Sequence, residues 1–408
     1  MNGRLAFVES PVQLLNVLEW AHAQVTGAPG GDDPGRTGAA PTAQGPSGAA
    51  PRGRAAVPGG RPPAGGAADR PPESGPGPAP AAHDLTVVVL SPTDPMSRGQ
   101  LRRMAQLARE DGFSVRWQEA REGRGSLART LRDLAPLLRA AERIIVGDPF
   151  SRYVQLLLTL FGPRHLTVVD DGTATMEFAA QLTRGERLVR WHRRGSLRPR
   201  DLLLAPVSSL ARRRLAPTRG RTVEIFTSLP VEAPPGTTVT PHAFAWTRAR
   251  FGPPRLTRGA DLVGTSLVET GVVDADRYIQ AVADLARTHG ATRYFAHRRE
   301  RPAKLHRIAV ETGLEIVRPD LPLELIARRG PIGRTVVSFP STVVHTLPLA
   351  LAGTGVKVAV CKVAPEWLLE NVSERAQGFL SGVAGTAAHE VDRLTARAAP
   401  AMERFEFG

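Results

Sequence analysis

The chain has 408 residues, 42% of them hydrophobic, which is enough for two ordinary domains with full cores. No apolar run approaches the ~20 residues of a membrane span, and the apolar start (Leu5 to Val8) is cut short by Glu9, too short for a secretion signal. A single cysteine, Cys361, excludes an intramolecular disulfide and fits a reducing, cytoplasmic setting, while a net charge of +14 fits nucleic acid, an anionic membrane face or phosphorylated substrates. Nearly all the basic residues are arginines in a sequence rich in Arg, Ala, Gly and Pro, so genome composition accounts for the charge equally well.

In chain order, residues 4–8 read as a strand and 12–23 as a helix. Residues 26–83 are almost wholly Gly, Pro, Ala, Arg, Ser and Asp, and such a segment cannot bury enough apolar area to offset chain entropy. It is expected to be a disordered insertion in a surface loop of the first βαβ unit. The apolar run 85–90 then predicts a buried parallel strand. Helices at 100–111, 127–140, 153–161 and 173–182 alternate with strands at 114–118, 143–146 and 165–169. Residues 183–221 read as irregular and Arg-dense, and 222–226 as the last strand of this half.

The Pro-rich stretch 230–243 reads as a linker. Beyond it, strands are predicted at 261–264, 293–297, 315–317, 335–339 and 357–360, with helices at 275–289, 302–312 and 343–352. The tail, 364–408, reads as helical. The chain therefore divides into a domain at 1–229, a linker, a domain at 244–363 and a tail. Strand–helix alternation on both sides of a linker predicts two Rossmann-like, doubly wound domains in the α/β class, and suggests that they face a cleft in the GT-B manner, although the sheets alone would fit other two-domain α/β enzymes. The candidate site is then that cleft, lined by loops at the carboxyl ends of strands.

Four short constellations fall at such ends. Asp170-Asp171-Gly172 follows the apolar run 166–169 and precedes a helix. Adjacent carboxylates in a restricted site raise one another's pKa, which suits a general base, and Gly172 permits a tight turn; Asp171 reads equally as a helix cap. His297 ends a strand and is followed by Arg298, Arg299 and Glu300. A cationic or neutral imidazole beside arginines can bond a phosphate and protonate it as it leaves, with Glu300 orienting an arginine; a surface histidine in a charged turn is the plainer reading. Ser341 and Thr342 precede an apolar helix, where their hydroxyls either cap it or, with its free amides, hold a nucleotide phosphate. Ser10 and Pro11 open the first helix as cap and first-turn residue, with Gln13 expected to reach the cleft. Ser266, just past the first strand of the second half, is a further nucleotide contact. There is no Gly-x-Gly-x-x-Gly, no Walker loop, no Gly-x-Ser-x-Gly elbow and no Cys/His cluster. Those gaps disfavour NAD enzymes, P-loop NTPases, α/β-hydrolases and zinc sites, and no metal site is expected.

An acidic pair with glycine, a histidine at a strand end and a hydroxyl pair before a helix, in that order, resemble the bacterial GT-B sialyltransferases. These are the polysialyltransferases and lipooligosaccharide sialyltransferases of glycosyltransferase families 38 and 52. Their D/E-D/E-G, His-Pro and Ser/Thr motifs match Asp170-Asp171-Gly172, His297 and Ser341-Thr342, and Ser10 to Leu15 looks like their opening; Arg298 stands where the family has proline. The resemblance implies a CMP-sugar donor, inverting transfer of a nonulosonic acid to a glycan or lipid-linked acceptor, and no cofactor or metal. It implies that Asp170 or Asp171 deprotonates the acceptor, with Asp170 preferred, that His297 assists departure of CMP, and that Ser341 and Thr342 hold its phosphate. The first domain would be the acceptor side and the second the nucleotide-sugar side. No nucleic-acid partner is then expected, while the basic stretch between Arg184 and Arg221 offers a peripheral contact with anionic membrane. The alternatives are a GT-B transferase using a UDP- or GDP-sugar, and a basic protein that binds nucleic acid or a membrane surface without catalysis.

Overall fold

The computed structural model describes residues 3–27, 84–121, 123, 125–188, 205–361 and 363–369. The insertion predicted at 26–83 lies, from residue 28 onward, outside the described residues, and so does the predicted helical tail beyond residue 369.

Seven strands form the first sheet: β1 (Gly3–Val8), β2 (Leu85–Leu90), β3 (Ser114–Gln118), β4 (Ala141–Val146), β5 (His165–Val169), β6 (Thr222–Thr227) and β7 (Thr238–Pro241). They are parallel throughout, in the order β3-β2-β1-β4-β5-β6-β7. Helices α1 (Pro11–Thr26), α2 (Pro95–Glu110), α3 (Ser126–Ala140), α4 (Arg152–Leu160) and α5 (Thr173–Thr183) cover its faces. Helix α6 (Ala205–Leu215) packs on α4. The inner strands β1, β2 and β5 read as apolar runs because both faces are covered. Leu5 and Phe7 enter the core beneath α3 to α5, while Ala6 and Val8 enter the core beneath α1 and α2; Val88 and Leu90 divide from Val87 and Val89 in the same way.

The second sheet holds β8 (Leu256–Val263), β9 (Ala291–Phe295), β10 (Glu315–Val317), β11 (Ile332–Ser338) and β12 (Lys357–Val360), again parallel, in the order β10-β9-β8-β11-β12. Its helices are α8 (Ala275–His289), α9 (Pro302–Thr312), α10 (Leu323–Arg329) and α11 (Val343–Ala350). Each sheet reverses its winding once, between β1 and β4 and between β8 and β11, and ligand crevices of doubly wound sheets open at such points. The α/β class with two Rossmann-like sheets, laid out in a GT-B-like way, is as the sequence predicts. Among the described residues no helix is long and apolar enough to cross a membrane.

Between the sheets runs α7 (Ala245–Arg250), wedged among α1, α10 and α11. Glu19 of α1 caps it, accepting from the amides of Trp246 and Thr247 at 2.9 Å each and from Thr247 Oγ1 at 2.6 Å. Phe244, just before α7, sits at φ 54°, a region costly for a side chain with a Cβ; its ring is fully buried in the first core, and that packing holds it there. The same core takes in Leu321, Leu325 and Ala350 from the second half. Gln100 Nε2 also donates to the Pro319 carbonyl at 2.7 Å.

The elements differ from expectation in four places. Residues 205–215, expected to be irregular, are helix α6, whose inward face is little more than Ala211 and Leu215, one turn hidden among arginines. β6 is not the last strand: β7, inside the predicted linker, adds an edge strand, where Pro241 costs no ladder bond. Helices α7 and α10 are short, and the sequence reading passed over both.

Candidate active site

The carboxyl ends of β1, β4, β5 and β6 place Ser10, Asp148, Asp170-Asp171 and Ser228 in neighbouring loops of the first half. Those of β9, β8 and β11 do the same for His297, Ser266 and Ser341-Thr342 in the second. The two rows meet. A Cβ placed on Gly172 would lie 3.4 Å from Thr342 Oγ1 and 3.7 Å from Thr342 Cγ2, so the acidic turn and the hydroxyl pair are in van der Waals range. A second approach joins Asp94, the cap of α2 after β2, to Arg298: the Ser97 amide holds the Asp94 carboxyl below its ordinary range, and Arg298 adds to that pull.

The two aspartates are held very differently. Asp170 is buried, and its carboxylate accepts from Thr227 Oγ1 at 2.5 Å, Ser228 N at 2.7 Å and Ser228 Oγ at 3.1 Å, while its carbonyl accepts from Asn16 Nδ2 at 3.0 Å. His242 Nε2 stands 3.6 Å from the same carboxylate, too far for a hydrogen bond. Such a carboxylate is anchored rather than available for proton transfer. Asp171 is half-buried; its Oδ1 faces Ser10 Oγ at 3.4 Å and its amide donates to Thr175 Oγ1 at 2.9 Å. The N-cap of α5 is Gly172 rather than Asp171. Gly172 takes φ 63° and ψ −133°, a conformation that favours glycine, and this turns Asp171 toward α1.

Ser10 caps α1, accepting from Gln13 N at 3.2 Å. Gln13 does not reach the cleft: it is buried, its Oε1 accepts from Glu9 N at 2.7 Å, and its side chain fills the space over Gly147. Packing won because Gln13 lies one turn into α1, on the face toward β4. Glu9 beside it pairs with Arg121 at 2.5 Å and accepts from Ser151 Oγ; burial pushes its carboxyl up, against the pull of Arg121.

His297 is half-buried, and burial, with Arg298 and Arg299 adding to it, lowers its pKa to about 4. Its Nδ1 accepts from Arg299 N at 3.2 Å. In the neutral ring the proton therefore sits on Nε2, leaving a directed donor. Glu300 does not orient an arginine: its carboxylate accepts from His297 N at 2.5 Å and Tyr294 OH at 2.6 Å, and pairs with Lys304 at 2.8 Å. Arg298 is exposed, so Glu300, turned into the core, meets the buried ammonium instead. The Ser266 carbonyl accepts from Thr270 N at 2.9 Å, fixing the loop after β8.

The hydroxyl pair does not cap α11, which has no side-chain cap bond. Ser341 Oγ is enclosed and makes no hydrogen bond among the described residues. An uncapped helix start beside an unused hydroxyl is a receptive place for an anion. Sequence reasoning missed Thr227, Ser228 and His242, which surround Asp170 from distant segments. It also missed Lys304, although the Glu300–Lys304 spacing of four on a helix start is a visible sign of an ion pair.

No protein-family model matches the chain, and no curated protein matches its sequence. Among solved structures it is similar to an α/β-galactoside α-2,3-sialyltransferase from the luminous marine bacterium Photobacterium phosphoreum. The identity is 10% and the TM-score 0.46, over 95% of this chain and 96% of that one. It is also similar to a UDP-glucosyltransferase from Polygonum tinctorium, at 10% identity and TM-score 0.43 over 98% and 94% of the two chains. A heptosyltransferase from E. coli follows at 13% and 0.35 over 95% and 99%. At these levels no residue role passes from those proteins to this chain.

Proposed function

We propose that the chain is an inverting, metal-independent glycosyltransferase that moves sialic acid or a related nonulosonic acid from a CMP-sugar to a glycan hydroxyl. The observation that carries this reading is the approach of the acidic turn at Gly172 to Thr342, which sets a carboxylate of one sheet against an anion-receptive helix start of the other. The order of the three motifs along the chain supports the choice of donor.

In this reaction the acceptor oxygen attacks the anomeric carbon, its proton passes to a carboxylate, and the bond from that carbon to the phosphate oxygen breaks, releasing CMP. Asp171 is the base. Asp170, preferred from the sequence, has its carboxylate taken up by Thr227 and Ser228 and serves to hold the turn. The leaving phosphate gathers negative charge, and fixed donors stabilise it without reorganising, by roughly 3–4 kcal/mol per essential donor. In this reading Ser341 Oγ, Thr342 and the first amides of α11 take up that charge, and Ser266 contacts the nucleotide. His297 acts as a neutral donor through Nε2–H rather than as a cation. Arg298, exposed at the crevice, suits the donor carboxylate. The first half takes the acceptor, and the Arg-rich sequence between Arg184 and Arg221 fits work beside an anionic cytoplasmic membrane face.

The test is calorimetric titration with CMP, UDP and GDP, followed by CMP release from nonulosonate donors. Tightest binding of CMP, with turnover that Asp171→Asn abolishes, is expected. Preference for UDP or GDP would move the chain to another donor class, and steeply salt-dependent DNA binding with no nucleotide binding would remove the enzymatic reading altogether.

A further inference from the structure

Behind His297 lies a buried ion cluster that joins Glu300 of the histidine motif to Lys304 and Glu269, which belong to none of the motifs. Lys304, in the first turn of α9, is 7% exposed. Its ammonium bonds Glu300 Oε1 at 2.8 Å, Glu269 Oε2 at 3.1 Å and the Thr265 carbonyl at 3.1 Å, and lies 4.4 Å from the centre of the Tyr278 ring. An ammonium has three protons, and all three are used. Each carboxylate then offers its other oxygen to the backbone of the same turn. Glu300 Oε2 accepts from His297 N at 2.5 Å, and Glu269 Oε1 accepts from Arg301 N at 3.1 Å. The two amides bracket the turn after β9.

The floor of this cluster is equally ordered. Tyr294 OH donates to Glu300 at 2.6 Å and meets Tyr278 OH at 2.8 Å, and Tyr278 OH accepts from Thr265 N at 3.3 Å. Gly264 at the end of β8 leaves the room: a Cβ there would come within 2.3 Å of Glu300 Oε2 and 2.4 Å of Tyr294 OH. Two carboxylates and one ammonium taken out of water are a poor source of stability compared with apolar packing of the same volume. What they supply is direction, since both carboxylates end on backbone amides of one turn.

We propose that Lys304 is the positioning residue of the histidine turn. Through Glu300 and Glu269 it fixes the backbone at both ends of the turn and so sets where the His297 Nε2–H points. Lys304 itself is buried and touches no substrate. The link to catalysis rests on the reading of His297 as the partner of the leaving phosphate; the mechanical role does not.

The experiment uses the full chain labelled with ¹³C,¹⁵N-histidine, the His297 signals being assigned by their loss in His297→Gln. In the wild type, His297 is expected as one Nε2–H tautomer that titrates near pH 4. Lys304→Met leaves two buried carboxylates facing each other without a cation, so one takes up a proton and lets go of its amide. The expected result is a mixture of tautomers, a titration moved upward toward the ordinary 6.5, and a kcat for CMP release lower by about 10- to 100-fold with a much smaller change in KM. Lys304→Arg, which keeps the charge, restores part of both. If Lys304→Met does not fold, Lys304→Gln keeps a donor without the charge and is read in the same way. A folded variant whose His297 tautomer and titration match the wild type overturns the proposal. A wild type that binds no CMP while the variants still disturb His297 leaves the clamp standing and removes the catalytic reading instead.

Discussion

The acidic turn after β5 and the histidine turn after β9 each carry one polar group of the candidate site and hold it by different means. Asp171 is set by the residue before it: Asp170 is tied down by Thr227 and Ser228, which come from the next strand of the sheet. His297 is set by residues after it, Glu300 and Lys304, with Glu269 from the neighbouring loop. The first anchor is one carboxylate among neutral donors; the second is a buried group of three charges. On the proposed reading, the group that does the chemistry is not the aspartate preferred from the sequence, which serves as the anchor.

The sharpest way to break this comparison is to remove the two aspartates separately. Asp171→Asn is expected to lower CMP release by about 10²- to 10⁴-fold with an unchanged urea midpoint. Asp170→Asn is expected to lose about 1.5–3 kcal/mol of stability in the same urea melts, because charge-assisted bonds to Thr227 and Ser228 are weakened. Equal stability losses in both would erase the distinction between anchor and base.

Next in size is His297→Gln, expected to slow CMP release by about 100-fold. It also changes acid sensitivity. Burial, helped by the two arginines, depresses the folded pKa of His297 to about 4, below the ordinary 6.5. The unfolded chain therefore binds the extra proton first as pH falls. The contribution of His297 to stability is full above about pH 6.5 and is lost as pH falls toward about 4, so His297→Gln is expected to show a shallower loss of stability over that window in thermal melts.

A smaller effect is expected at Gly172. Alanine there meets Thr342 only at ordinary contact distance, so the cost comes from φ 63°, about 1–3 kcal/mol by denaturant unfolding. The smallest concerns His242, buried and stacked on Phe226 with ring centroids 4.7 Å apart, with neither ring nitrogen hydrogen-bonded among the described residues. His242→Phe removes two unpaired buried polar groups and keeps the stack, so its stability is expected within about 1 kcal/mol of the wild type or above it. A large loss would mean that His242 and Asp170 interact more strongly than their 3.6 Å separation implies.

Strands β2 and β5 were legible because burial on two faces writes them as apolar runs, and β3, β10 and β12, partly exposed at or near sheet edges, also stand where the sequence puts them. Helix α6 and strand β7 were not, since one is disguised by arginines and the other by its Pro-rich surroundings. In the candidate site, the turns bearing Asp171, His297 and Ser341 could be read from residue type and position after a strand. The inward turn of Gln13 could not, and the pairing of Glu300 with Lys304 left only their spacing of four as a sign. Both depend on which face of a helix start meets the core, and a short motif does not carry that information.

The central claim is that the acidic turn, the histidine turn and the hydroxyl pair serve one ligand. A crystal structure of the full chain with CMP tests it most directly. The account expects the phosphate on Ser341 Oγ and the start of α11, with His297 Nε2 in hydrogen-bond reach and the Asp171 carboxylate facing the phosphate across the crevice. CMP seated away from Ser341 and His297, or a phosphate that Asp171 cannot face, would contradict it.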